Sequence, residues 1–224
     1  MYSSLNSLEQ AEGAALQKSE RAFLVNLSKV FLGDKTMIQA ERLRLWPLEH
    51  CDLGKNYQWA NDMELCRYAG ALPMPKSLNE LEGWYNSANS NPETSIFAIK
   101  LNDGAYIGNI EIRNLDLRCA NCELGIILGE TSMRGKGYGR EAVMALCGFV
   151  FEQLRLHRVT VHVLEFNERA AHMFTKCGFV QEGTERESFW LDGRYWDVRI
   201  FSLLESEFRS QVTKLASTHK KCTD

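Results

Sequence analysis

Six residues constrain this chain more than any others: Arg134-Gly135-Lys136-Gly137-Tyr138-Gly139. An apolar run that reads as a strand, Glu123–Leu128, precedes them. The most regular amphipathic pattern in the chain follows, with Ala142, Leu146, Phe149, Val150 and Leu154 predicting a helix over 140–155. A glycine-rich turn between strand and helix gathers backbone N–H groups at the positive end of the helix, which makes it a phosphate cradle. Glycine also lets the backbone approach a ligand closely. Arg134 and Lys136 add charge suited to a polyphosphate.

Several readings meet at this loop. A Walker loop requires Gly-Lys followed by Ser or Thr, and no such triplet occurs. Gly137-Tyr138-Gly139-Arg140-Glu141-Ala142 matches the dinucleotide pattern G-x-G-x-x-A, with Glu165 beyond the next strand as its acidic partner. That fold, however, places its first glycine directly after the strand, whereas eight residues separate Leu128 from Gly137 here. A glycine-rich surface turn without a ligand is the plain alternative.

The pattern around the loop gives the architecture. Leu43, Leu45 and Leu48 suggest an edge strand ended by Pro47, and residues 52–69 read as one helix. Ser77-Leu78-Asn79-Glu80 is a capping box opening a helix toward Ala88. Ser95–Lys100, a turn at Asn102-Asp103-Gly104 and Tyr106–Arg113 form a hairpin. Val159, Val161 and Val163 alternate as a strand, Glu168–Cys177 is a short helix stopped by Gly178, and Asp192-Gly193 joins two final strands. This order is α+β with a mixed sheet. Residues 1–36 form an extension with a weak helical pattern, 37–209 the folded domain with Met37 as an alternative start, and 210–224 a polar tail.

Charge and cysteine content exclude several classes. Lys+Arg 26 against Asp+Glu 29 leaves a net −3, unlike the basic surface nucleic acid requires. No apolar run reaches membrane-span length, and the first residues lack a secretory pattern. Seven cysteines, mostly inside apolar patterns, suit a reducing cytoplasm. Cys119-Ala120-Asn121-Cys122 lacks a second ligand pair, so a hairpin turn is expected there rather than a metal site.

The loop resembles the [RQ]-x-x-G-x-[GA] signature of the GNAT family of N-acetyltransferases. Asn167-Glu168-Arg169-Ala170 followed by Lys176-Cys177-Gly178-Phe179 is similar to the family's later block. Glu182-Gly183 and Asp192-Gly193-Arg194-Tyr195-Trp196-Asp197 resemble the end of the branch holding the ribosomal-protein N-terminal and spermidine acetyltransferases. Arg42-Leu43-Arg44-Leu45 with Asp52 resembles its opening. The resemblance spans about residues 38–208. It implies a mostly antiparallel sheet splayed at the acyl-CoA site, with helices on both sides, and acetyl-CoA as acyl donor. The diphosphate would rest on Arg134, Gly135, Lys136, Gly137, Tyr138, Gly139 and Arg140. The pantetheine arm would lie along Ile126, Ile127 and Leu128, with Asn167 in contact (a helix cap is its plain alternative) and Phe174 packed beside it.

Transfer to an amine then needs a base. A Lys-like ammonium has a pKa of about 10.4, so deprotonating it at neutral pH costs ~4–5 kcal/mol, whereas a peptide α-amine of pKa about 8 costs far less. Glu123, eleven residues before Arg134, resembles the family's catalytic glutamate, with Glu111 as second choice. His162 reads as a packed or surface histidine. Many relatives carry a tyrosine at the place of Phe174 that protonates the leaving thiolate, and ribosomal-protein acetyltransferases a serine at that of Ala170. With neither present, Ser188 or Tyr195 is the candidate replacement acid. Seven acids stand against three bases between Glu49 and Glu93, which favours a cationic acceptor: a small polyamine-like amine or a protein N-terminus. Trp59, Tyr68, Trp84 and Tyr85 read as core packing, with a stacking platform for a nucleotide-linked amino sugar as the alternative acceptor site. A non-catalytic acyl-CoA-binding module and a homodimer are left open.

Overall fold

The computed structural model describes residues 38–71 and 74–220, with side chains as far as residue 214. The extension expected over 1–36 and the alternative start at Met37 lie outside the described residues. Among the described residues eight strands form one sheet in the order β1-β2-β3-β4-β5-β6-β8-β7. They are β1 (Ile38–Gln39), β2 (Leu43–Pro47), β3 (Ser95–Leu101), β4 (Tyr106–Asp116), β5 (Asn121–Leu128), β6 (Arg158–Leu164), β7 (Val180–Leu191) and β8 (Arg194–Leu204). Every neighbouring pair is antiparallel except β5 with β6, which a helix connects. Short β1 covers β2, so the strand expected at the edge lies one place inside it.

The helices are α1 (Leu53–Ala60), α2 (Met63–Ala69), α3 (Leu78–Ser90), α4 (Tyr138–Glu152), α5 (Glu168–Lys176) and α6 (Glu205–Lys220). The helix expected over 52–69 is interrupted, because the Asp62 carboxylate caps a new helix by accepting the Leu65 N–H at 3.0 Å. The capping box at Ser77 forms both of its bonds: Glu80 N–H to Ser77 Oγ at 3.2 Å and Ser77 N–H to Glu80 Oε2 at 2.7 Å. Asp192 and Gly193 both have positive φ, as the two-residue β7–β8 turn requires. The chain does not become a tail after residue 209. Instead α6 runs on to Lys220, anchored by Phe208, which is buried with its ring 5.3 Å from that of Phe151.

Alternation along the strands divides the core. One face buries Leu43, Leu45, Ile99, Ile110, Val159 and Val161 against Ala142, Leu146 and Val150 of α4. The opposite face holds a smaller cluster, Leu48, Trp59, Leu65, Ala98 and Tyr106, under α1 and α2. Each such side chain withdrawn from water contributes ~1.5–3 kcal/mol against chain entropy. Trp59 is therefore core, as expected, whereas Tyr68 and Trp84 are exposed. Cys119 lies exposed in the turn before β5 and Cys122 is buried on that strand. Among the described residues no helix is long and apolar enough to cross a membrane, and no His, Cys, Asp and Glu gather into a metal-binding group.

Candidate active site

The glycine loop joins β5 to α4. After Leu128 the chain makes a 3-10 turn at Thr131–Met133 and enters the helix through Gly135 and Gly137, with φ of 75° and 83°. Among the described residues nothing lies within 4 Å of a Cβ added at Gly135, and one at Gly137 meets only Arg42 Nη2 at 3.3 Å. The left-handed backbone, rather than lack of space, thus calls for glycine. No side chain caps α4. Its first amides, around Tyr138 and Gly139, are ones the helix itself cannot satisfy. Arg140 is half-buried on the same turn, and a Cβ added at Gly139 would stand 3.5 Å from Leu128 Cδ1 and 3.8 Å from Met173 Sδ.

Two arginines shape this loop. Arg134 turns inward, its Nε donating to the Leu128 carbonyl at 3.0 Å, so its guanidinium closes the loop instead of facing a polyphosphate as expected. Arg42, immediately before β2, reaches across from the far side. Its backbone N–H and Nε donate to the two oxygens of buried Glu141 at 2.6 and 2.7 Å, and its Nη1 donates to the Lys136 carbonyl at 3.0 Å. The same guanidinium lies 4.5 Å from the centre of the Tyr138 ring. Arg42 stood in the opening motif, but its contact with the loop spans 99 positions to Glu141 and leaves no local trace in the sequence.

Beside the loop the sheet opens. β5 pairs with β6 only at Asn121↔Arg158, Cys122↔Val159 and Glu123↔Thr160. Beyond Glu123, β5 pairs only with β4, down to Gly108↔Leu128, while β6 pairs with β8 as far as Leu164↔Val198. Ile126, Ile127 and Leu128 are thus half-buried on a stretch of β5 whose β6 side has no strand partner among the described residues. Asn167 begins α5 at the far side of the wedge. Its Oδ1 accepts the Ala170 N–H and its Nδ2 donates to the Tyr68 carbonyl, each at 3.1 Å, so the helix-cap role is present. Phe174 does not border the opening as expected. Its ring is 4% exposed and packs into the core 5.3 Å from Phe179, leaving little surface for a ligand.

At the apex of the wedge stands a charged cluster. Glu111 and Arg113 on β4, Glu123 on β5 and His162 on β6 project from one face of the sheet. Arg113 Nη2 meets Glu123 Oε1 at 2.7 Å, and Arg113 Nε lies 3.4 Å from Glu111 Oε1. Asn114 Nδ2 donates to Glu123 Oε2 at 3.0 Å, and His162 Nδ1 is 3.4 Å from Glu123 Oε1. Gly125 faces Glu111 across the strands, and a Cβ there would stand 2.7 Å from Glu111 Oε1 and 3.2 Å from Arg113 Nη2. The side-chain space that Gly125 leaves empty is where carboxylate and guanidinium meet. Burial pushes the Glu111 carboxyl above its ordinary range; Arg113 opposes that rise and Glu123 adds to it.

The expected replacement acids do not join this cluster. Thr160, opposite Glu123, is opposite Ser202 on β8. Tyr195 is seven residues further along β8, about 23 Å at the rise of an extended strand. It is exposed at the hairpin tip against Trp190, ring centres 4.7 Å apart. Ser188 sits in the irregular stretch between Glu185, opposite Val198, and Phe189, opposite Trp196, and its Oγ donates to the Glu185 carbonyl at 3.4 Å. That hairpin tip is held instead against α2, by Arg67 and Asp192 at 2.9 Å.

Comparison with known proteins agrees with this geometry. Residues 42–180 match the model of the acetyltransferase (GNAT) domain family. The chain is 30% identical to spermidine N(1)-acetyltransferase of Vibrio cholerae over 75% of its own length and 95% of that protein's. It is 28% identical to spermidine N(1)-acetyltransferase of Escherichia coli, over 71% and 84%. A crystal structure of the Vibrio cholerae enzyme in complex with CoA and spermine is similar with a TM-score of 0.71, covering 75% of this chain and 98% of that one.

Proposed function

The chain belongs to the GNAT acetyltransferase family, and we propose that the wedge between β5 and β6 holds acetyl-CoA while the charged cluster at its apex receives the amine. The protein is an N-acetyltransferase that moves the acetyl group of acetyl-CoA to a primary amine. One observation carries the placement. The uncapped start of α4, the open edge of β5 and the carboxylates follow one another along a single strand. The residues suit the donor at each point: loop amides and Lys136 for the diphosphate, the open edge of β5 along Ile126–Leu128 for the amide-bearing arm, and apolar Ile126 and Leu128 beside it. When bound, acetyl-CoA supplies an activated thioester carbon.

This chain's own groups then prepare the amine. Glu123 is engaged by Arg113, Asn114 and His162, so it serves chiefly to orient the cluster. Glu111, whose burial raises its proton affinity, takes the proton from the ammonium, directly or through a water. The leaving thiolate has a pKa of about 8.5 and departs without a phenol at Phe174. The test is a thiol-release assay of Glu111→Gln and Glu123→Gln against spermidine and a peptide N-terminus. Loss of a general base lowers kcat by about 10²-fold or more. Glu111→Gln is expected to do so for the high-pKa amine and less for the peptide. Equal loss with both acceptors overturns the base assignment, and CoA binding without turnover on any amine overturns the enzymatic reading.

A further inference from the structure

We propose that Arg113 selects the charge class of the acceptor. Its guanidinium occupies the place on the Glu111 and Glu123 carboxylates that a second cationic centre of a polyamine would take, so the site favours an amine bearing one positive charge near its reacting end. This rests on the proposed position of the amine at the apex of the wedge.

The cluster gives the reason. Arg113 stands directly opposite Glu123 in the β4–β5 register, and its Nη2 lies 2.7 Å from Glu123 Oε1. Its Nε reaches Glu111 at 3.4 Å over the bare backbone of Gly125. Asn114, at φ 50° where the register shifts, holds the other Glu123 oxygen at 3.0 Å, so this carboxylate cannot turn toward a distant cation without losing two partners. Around Arg113 two carboxylates share a single guanidinium, which leaves room for one more cation. That matches a single ammonium. A polycation placed here either meets the guanidinium as a like charge or must displace it from both carboxylates, and each route penalises the polycation alone. Arg113 is not trapped, because its side chain is 44% exposed and can leave the groove once its partners are taken.

Selection by charge is a ratio of two activities and is measured as one. The full-length wild type, R113M and R113K are assayed by thiol release with spermidine and with n-butylamine, and kcat/KM for the first is divided by that for the second. Removing one like charge at this range is expected to raise the ratio by about tenfold or more in R113M. R113K, which keeps the charge, stays within about threefold of the wild type. Raising salt from about 0.05 to about 0.5 M narrows the difference between R113M and wild type. Calorimetry of spermidine binding to the CoA-loaded protein reads the same preference without turnover, and R113M is expected to bind about tenfold more tightly. R113Q replaces R113M if the melting curve of the latter shows a folding defect. Ratio and affinity both within about threefold of wild type in the neutral variant overturn the role of Arg113. If no amine is acetylated by any variant, the N-acetyltransferase reading fails by itself, and the spermidine affinities still decide whether Arg113 screens polycations.

Discussion

The brace between Arg42 and Glu141 permits a quantitative test of how the loop is held. Arg42→Ala removes a guanidinium bonded at 2.7 Å to Glu141 and at 3.0 Å to the Lys136 carbonyl. Stripping a buried carboxylate of its cation costs ~3–5 kcal/mol. Two features reduce that here: the Arg42 side chain is 37% exposed, and its backbone N–H remains on Glu141 Oε1 at 2.6 Å. A loss of ~2 kcal/mol is expected, or ~4–8 °C in melting temperature for a domain of this size. Glu141→Gln removes the charge from the other side. In denaturant melts the double variant should lose ~1–2 kcal/mol less than the two single losses together, because both break one interaction. Activity provides a second readout. The loop is expected to bind donor equally in ground and transition states, so the KM for acetyl-CoA should rise by about tenfold with kcat far less affected. Additivity within ~0.5 kcal/mol, or an unchanged KM, would refute the brace.

Three further outcomes follow from neighbouring contacts. Gly137→Val forces a β-branched residue into the left-handed region at ~1–2 kcal/mol or more, so CoA affinity read by calorimetry should fall by about tenfold or more; affinity within about threefold of wild type would remove the loop from the site. Asn167→Ala loses a helix cap worth ~1 kcal/mol and the bond to Tyr68, and hydrogen exchange in α2 should accelerate together with that in α5. Glu182 is held down to about 2, chiefly by its hydrogen bonds to Arg158, well below the ordinary 4.5. The stability it contributes is present above pH 4.5 and is lost as pH falls toward about 2, so Glu182→Gln should flatten that part of the stability–pH curve; an unchanged slope would exclude the pair.

Much of this fold is legible because its signals are local. The Ser77 capping box, the Asp192-Gly193 turn and the apolar stripe of α4 each lie within a few residues of what they specify. The break at Asp62 was equally local, yet the apolar pattern on either side of it masked a cap. The site was legible only where a backbone demand fixes the residue, as at Gly135 and Gly137. The carboxylate cluster was less so. That Glu123 meets Arg113 depends on the β4–β5 register, which is set by the turn at 117–120 and the irregularity between Arg113 and Asp116. Charge and spacing along one strand carry no record of what the next strand places opposite. Tyr195 shows the converse: a suitable hydroxyl on a suitable strand, but displaced along β8 from the level of Glu123 by a register the sequence does not state.

An unpaired strand edge inside a sheet demands a physical cause, since each unsatisfied backbone group removed from water costs ~1–3 kcal/mol. The cause lies in what holds each strand on its outer side. β4 presses closely on β5 at the end of the wedge, where a Cβ on Gly108 would come within 2.2 Å of the Ile127 carbonyl oxygen. β8 pairs with β6 without interruption over the same length. The two halves of the sheet therefore each keep a full ladder and part from one another after Glu123, with the twist of the sheet widening the gap. Arg134 satisfies the Leu128 carbonyl at the mouth, and Asn167 ties the opposite wall to α2. The gap is flanked by strands on both sides and lies well inside the sheet, so it is not a free edge on which another sheet can add. It suits a thin arm carrying its own amides, and the charge that arm meets at its inner end is governed by Glu111, Arg113 and Glu123 together.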